Sequence, residues 1–92
     1  MTDLIVVYAL PRRGEVTKIG FSVGKKLGGA VARNRVRRVL QESTGQFLPN
    51  IKVGYSIVVV ARVKAGAATF TAISAALEST FVRLGVMNAG NR

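Results

Sequence analysis

The chain has 92 residues, with 14 Lys and Arg against 4 Asp and Glu, a formal net charge of +10 and 49% hydrophobic residues. That length makes one domain with one modest core, and the cation excess implies a polyanionic partner, nucleic acid before a membrane surface. Without cysteine or histidine, disulfides, thiolate metal sites and imidazole chemistry are excluded. No apolar run approaches the roughly 18 residues of a membrane span. Asp3 stands where an export signal would be basic, so the expected compartment is the cytoplasm, with no membrane partner.

In chain order, Leu4 to Leu10 is a continuous apolar run rich in β-branched residues and closed by Pro11. It predicts a strand buried on much of both faces. Arg12-Arg13-Gly14-Glu15 reads as a turn. From Lys18 to Val23 the pattern alternates, with Ile19, Phe21 and Val23 on one face and Lys18, Gly20 and Ser22 on the other, which predicts a hairpin with the first strand. Three glycines, Gly24, Gly28 and Gly29, lead into a helix that stops near Ser43-Thr44-Gly45. Phe47 and Leu48 are expected to pin the following loop to the core, and Tyr55 to Ala61 is the third strand. Val63 to Ala68 is a connector, and Thr69 is the expected N-cap of a second helix whose Phe70, Ile73, Leu77, Phe81 and Leu84 form a core-facing stripe. Strand, strand, helix, strand, helix predicts a two-layer α/β sandwich on a small sheet. Residues 1–87 form its single domain, and 88–92 a frayed tail.

The chemistry of this chain centres on its first helix. Gly24 to Glu42 concentrates six of the fourteen basic residues beside one acid, Glu42. Ala32, Val36, Val39 and Leu40 recur at helical spacing, leaving Arg33, Asn34, Arg35, Arg37, Arg38 and Gln41 to the remaining directions. A face that is only solvated mixes both signs and gains from opposite charges four residues apart. Four arginines within six residues repel one another instead and call for an anion. Arginine adds planar, bidentate donation suited to phosphate or base edges.

Catalytic groups are scarce by comparison. Asp3, Glu15, Glu42 and Glu78 lie in different elements, whereas general acid/base or two-metal phosphodiester cleavage needs clustered carboxylates or histidine. A nucleotide-binding phosphate loop around Gly24-Lys25-Lys26 fails in detail. The residue five positions before Gly24 is Ile19 rather than glycine, and Lys26 occupies the place of the magnesium-holding Ser or Thr. Backbone amides with Lys25 and Lys26 are better read as binding nucleic-acid phosphates beside the helix.

The run Ile19-Gly20-Phe21-Ser22-Val23-Gly24-Lys25-Lys26, the Gly28 turn, Ala30-Val31-Ala32-Arg33-Asn34-Arg35-Val36-Arg37-Arg38 and Ile57-Val58-Val59-Val60-Ala61-Arg62 together resemble the protein subunit of bacterial ribonuclease P. The similarity spans about Leu4 to Met87, and the Arg33-Asn34-Arg35 triplet in this context is its most specific element. In one respect the sequence departs from the family, which normally carries a further helix before the first strand. The resemblance implies a small mixed sheet with a left-handed crossover, against the usual hand. It implies partnership with the family's RNA subunit and with precursor transfer RNA, whose 5′ leader is removed by magnesium held on the RNA rather than on the protein. Arg33, Asn34, Arg35, Arg37 and Arg38 would then contact the RNA subunit, supported by Lys25, Lys26 and Arg62. Tyr8 and Phe21 are candidates for stacking on the leader, with core packing the competing reading for both. A general or ribosomal binder of structured RNA is the alternative function. A basic helix on an anionic membrane is disfavoured because its apolar face lacks aromatics.

Overall fold

The computed structural model describes residues 4–12 and 16–87, so residues 13–15 of the expected turn that begins at Arg12, and the tail at 88–92, lie outside the described residues. Its elements are β1 (Ile5–Pro11), β2 (Lys18–Val23), α1 (Ala30–Gly45), β3 (Tyr55–Ala61) and α2 (Phe70–Leu84). Short 3₁₀ turns are formed by Lys25–Leu27, Leu48–Asn50 and Val63–Ala67. β2, β3 and the N-cap of α2 fall where the sequence pattern puts them.

The hairpin does not form. β3 is the central strand, antiparallel to β1 and parallel to β2, and the sheet order is β1-β3-β2. Alternation in Lys18–Val23 signals a half-buried strand but says nothing about its neighbour, whereas β3 presents both its edges to apolar partners. The register places Val7 and Phe21 on either side of Val59, and Ala9 and Ile19 on either side of Ile57. Two parallel neighbours cannot be joined by a tight turn. The connection from β2 to β3 therefore passes through α1.

Both helices cover one face of the sheet. Ile5, Val7, Val23, Ile57, Val59 and Ala61 are buried there against Val36 and Leu40 of α1 and Ile73, Leu77 and Phe81 of α2. The apolar stripes are shorter than their periodicity suggests, because Phe70 and Leu84 of α2 and Ala32 of α1 are exposed. Thr69 caps α2, its Oγ1 accepting from the Ala72 N–H at 3.1 Å. Phe47 reaches the core edge-on to Phe81, with ring centroids 6.4 Å apart and planes at 87°. Leu48 remains exposed and does not pin the loop. Between the helices a polar ladder runs from Gln46 Nε2 to Ser74 Oγ and on to Ser43 Oγ.

The opposite face of the sheet is open among the described residues, which corrects the expectation that β1 is buried on both sides. Three rows cross it: Val6, Val60 and Ser22; Tyr8, Val58 and Gly20; Leu10, Ser56 and Lys18. Tyr8 is 61% exposed and Leu10 67%.

Candidate RNA-binding surface

The parallel pairing of β2 with β3 sets Val23 opposite Ala61, so both strands end at the same rim. Segments leaving the carboxyl ends of parallel strands splay apart and form a crevice. Here a cleft of about 770 Å³ opens between the Lys25–Leu27 and Val63–Ala67 turns, lined by Ser22, Lys25, Lys26, Val60, Arg62 and Lys64 among others. Ser22 and Val60 also belong to the open face of the sheet, making cleft and face one continuous surface. The face supplies an aromatic ring and apolar side chains, and the cleft supplies four cations.

Gly28 turns the chain from this cleft into α1. Its φ of +121° favours glycine, and a Cβ there would lie 3.0 Å from the Ala32 Cβ. α1 then begins at Gly29 without a side-chain cap and with no acid in its first turn. Arg35, Arg37 and Arg38 are exposed along it, as is Asn34. Arg33 is half-buried, with its Nε shielded from solvent and lacking a hydrogen-bond partner. Two of the guanidinium groups reach back to the scaffold: Arg35 Nη1 donates to the Gly66 carbonyl at 3.4 Å, and Arg37 Nη1 to the Phe21 carbonyl at 3.3 Å.

The structure thus brings Lys25, Lys26 and Arg62 together in the cleft, with the arginines on the helix beside it. It separates the two aromatic candidates. Phe21 packs against the core on the helix side of β2, whereas Tyr8 projects from the open face. Sequence reasoning missed Lys64 and assigned no role to Lys18. Lys64 lies two residues beyond Arg62, and only the tight turn at Val63–Ala67 shows that both line one cavity. Among the described residues no group of three or more His, Cys, Asp or Glu could hold a metal ion. No described helix is long and apolar enough to cross a membrane.

A half-apolar sheet face that runs into a cationic cleft, beside a helix with a guanidinium surface, defines an RNA-binding α/β domain. The chain belongs to the ribonuclease P protein family, whose model it matches over residues 1–85. It is 42% identical over 74 residues to the ribonuclease P protein component of Caldanaerobacter subterraneus subsp. tengcongensis, a match covering 80% of this chain and 64% of that protein. To the component from Symbiobacterium thermophilum it is 40% identical over 83 residues, covering 89% and 72% respectively. The solved structure of the ribonuclease P protein of Staphylococcus aureus superposes with a TM-score of 0.83 at 31% identity, over 96% of this chain and 81% of that one. A mutant of the S. aureus protein is named for defective mRNA degradation activity. The family is the protein subunit of an endoribonuclease ribonucleoprotein that processes the 5′ end of transfer RNA, which implies partnership with an RNA subunit.

Proposed function

We propose that this chain binds the RNA subunit of ribonuclease P through Arg33, Asn34, Arg35, Arg37 and Arg38, and the 5′ leader of precursor transfer RNA through the cleft and open sheet face. The observation that carries the proposal is the continuity of Tyr8, Val58 and Gly20 with Ser22, Lys25, Lys26, Arg62 and Lys64. A single strand needs rings to stack on and cations along its backbone, and this surface offers both in succession. Leader contact then rests on Tyr8 and not on Phe21, whose ring is turned into the core.

The protein's part in the reaction is electrostatic and geometric. Guanidinium groups neutralise phosphates that would otherwise repel the leader, and the cleft fixes the strand relative to the RNA subunit. The hydrolytic water and the magnesium ions belong to the RNA in this reading, and the compartment is the cytoplasm. Neither Glu42 nor Glu78, the acids among the described residues, lines the cleft.

The test is reconstitution with the RNA subunit and magnesium, using leader-bearing precursor as substrate. The 5′ leader should be released by the assembled particle and by neither RNA-free protein nor protein with magnesium. A messenger RNA belongs among the substrates because of the S. aureus variant. Cleavage of either RNA by rigorously RNA-free protein would overturn the division of labour. Capture of many structured RNAs with no preference for the RNA subunit would favour a general RNA-binding role.

A further inference from the structure

We infer that Arg35 is a positioning residue for the cleft as well as part of the guanidinium face; this rests on the reading of the cleft as an RNA site given above. Its Nη1 spans from α1 to the Gly66 carbonyl in the Val63–Ala67 turn. That turn carries Lys64 and follows directly on Arg62, so it forms one cationic wall of the cleft. The other wall, Lys25–Leu27, touches it where Leu27 Cδ2 lies 3.4 Å from the position a Gly66 Cβ would take. Arg37 makes the matching span to the Phe21 carbonyl, one residue before Ser22 enters the cleft lining. The helix that faces the RNA subunit therefore grips both roots of the cleft.

Guanidinium has five N–H donors, and the bond to Gly66 is made through Nη1 alone. A solvent-exposed arginine held by a single 3.4 Å bond leaves and returns readily. An RNA phosphate that takes the outward donors removes that rotamer freedom while leaving the carbonyl bond in place. RNA on α1 thus steadies the Val63–Ala67 turn, and with it the spacing of Arg62 and Lys64 from Lys25 and Lys26. The two RNA sites are positively coupled through one side chain.

The experiment is a double-mutant cycle in the holoenzyme, with protein and RNA subunit held above their dissociation constant and leader-bearing precursor varied. Arg35→Ala and Lys64→Ala should each raise KM for the precursor and leave kcat unchanged. The double variant should fall short of the product of the two effects by about threefold or more, as expected of residues acting through one element. Arg38→Ala with Lys64→Ala is the reference pair and should multiply. In the complex with the RNA subunit, the Ala65 and Ala68 amides, which bond to the Arg62 and Ala65 carbonyls, should exchange faster in Arg35→Ala than in the unchanged protein. A multiplicative Arg35/Lys64 pair, or unchanged exchange at those amides, overturns the positioning role and leaves the cleft reading intact. Single variants that leave precursor KM unchanged overturn the cleft reading and the positioning role with it.

Discussion

Val23 lies directly opposite Ala61 in the parallel ladder of β2 and β3, and both side chains are buried. Because the strands end in register, the lysines that follow one and the cations that follow the other meet at one rim. Replacing Lys25 and Lys26 with alanine should therefore weaken precursor binding by the holoenzyme while leaving assembly with the RNA subunit largely intact. The slope of log K against log salt should fall by up to about 0.7 for each single-strand phosphate that the variant no longer neutralises. An unchanged slope for leader-bearing precursor would remove these lysines from the leader path.

Arg37 and Arg38 are exposed on α1. The double change to alanine should weaken RNA-subunit binding and lower its salt slope by up to about 0.9 for each duplex phosphate left without its cation. Its unfolding midpoint should hold or rise, since charge repulsion is relieved and alanine is the best helix former. Filter binding across a salt series and thermal unfolding of the same samples check the two halves.

Tyr8 stands clear of the sheet beside Val58. Tyr8→Ala should cost about 1–3 kcal/mol of affinity for leader-bearing precursor, the usual value of one stacked base, and little stability. Tyr8→Phe should retain the affinity. The measurement is holoenzyme affinity for a precursor compared with the same transfer RNA lacking its leader. Equal losses on both substrates would place Tyr8 outside the leader contact.

Gly28 and Gly29 are adjacent but differ in what they tolerate. At φ +121°, with the Ala32 Cβ 3.0 Å from a new side chain, Gly28→Ala should destabilise the fold by about 1–3 kcal/mol. Gly29 has φ −75° and open space around it, so Gly29→Ser should be neutral or stabilising by roughly a few tenths of a kcal/mol through a new helix cap. Urea unfolding of the two variants distinguishes them.

Phe81 is fully buried and meets Phe47 edge to face. Phe81→Ala should cost about 3–5 kcal/mol, a large share of the stability of a domain this size. Chemical denaturation measures it. RNA binding by the folded fraction should be unchanged, because α2 carries none of the proposed RNA contacts.

The ends of β2 and β3, the stop of α1 and the start of α2 were legible because local rules decide them. A β-branched run, a glycine entry and a threonine cap act within a few residues. The guanidinium face was legible for the same reason, since Arg33 to Arg38 lie on one helix and their charge needs no partner to be noticed. Sheet order was not, because the alternation of Ile19, Phe21 and Val23 fits any half-buried strand, and the choice between β1 and β3 as neighbour depends on where α1 carries the chain. The exposed face of β1 was hidden by its uniform apolarity, and the place of Lys64 by a turn whose small residues resemble a plain connector.

The concentration of cations on α1 and the cleft has its counterpart in α2, whose only charged residues are Glu78 and Arg83. A domain whose two helices differ so in charge is turned by a polyanion's field before the two surfaces touch. Diffusional encounters with RNA are thereby biased towards the productive orientation, and the association rate gains most at low ionic strength, where that field reaches furthest.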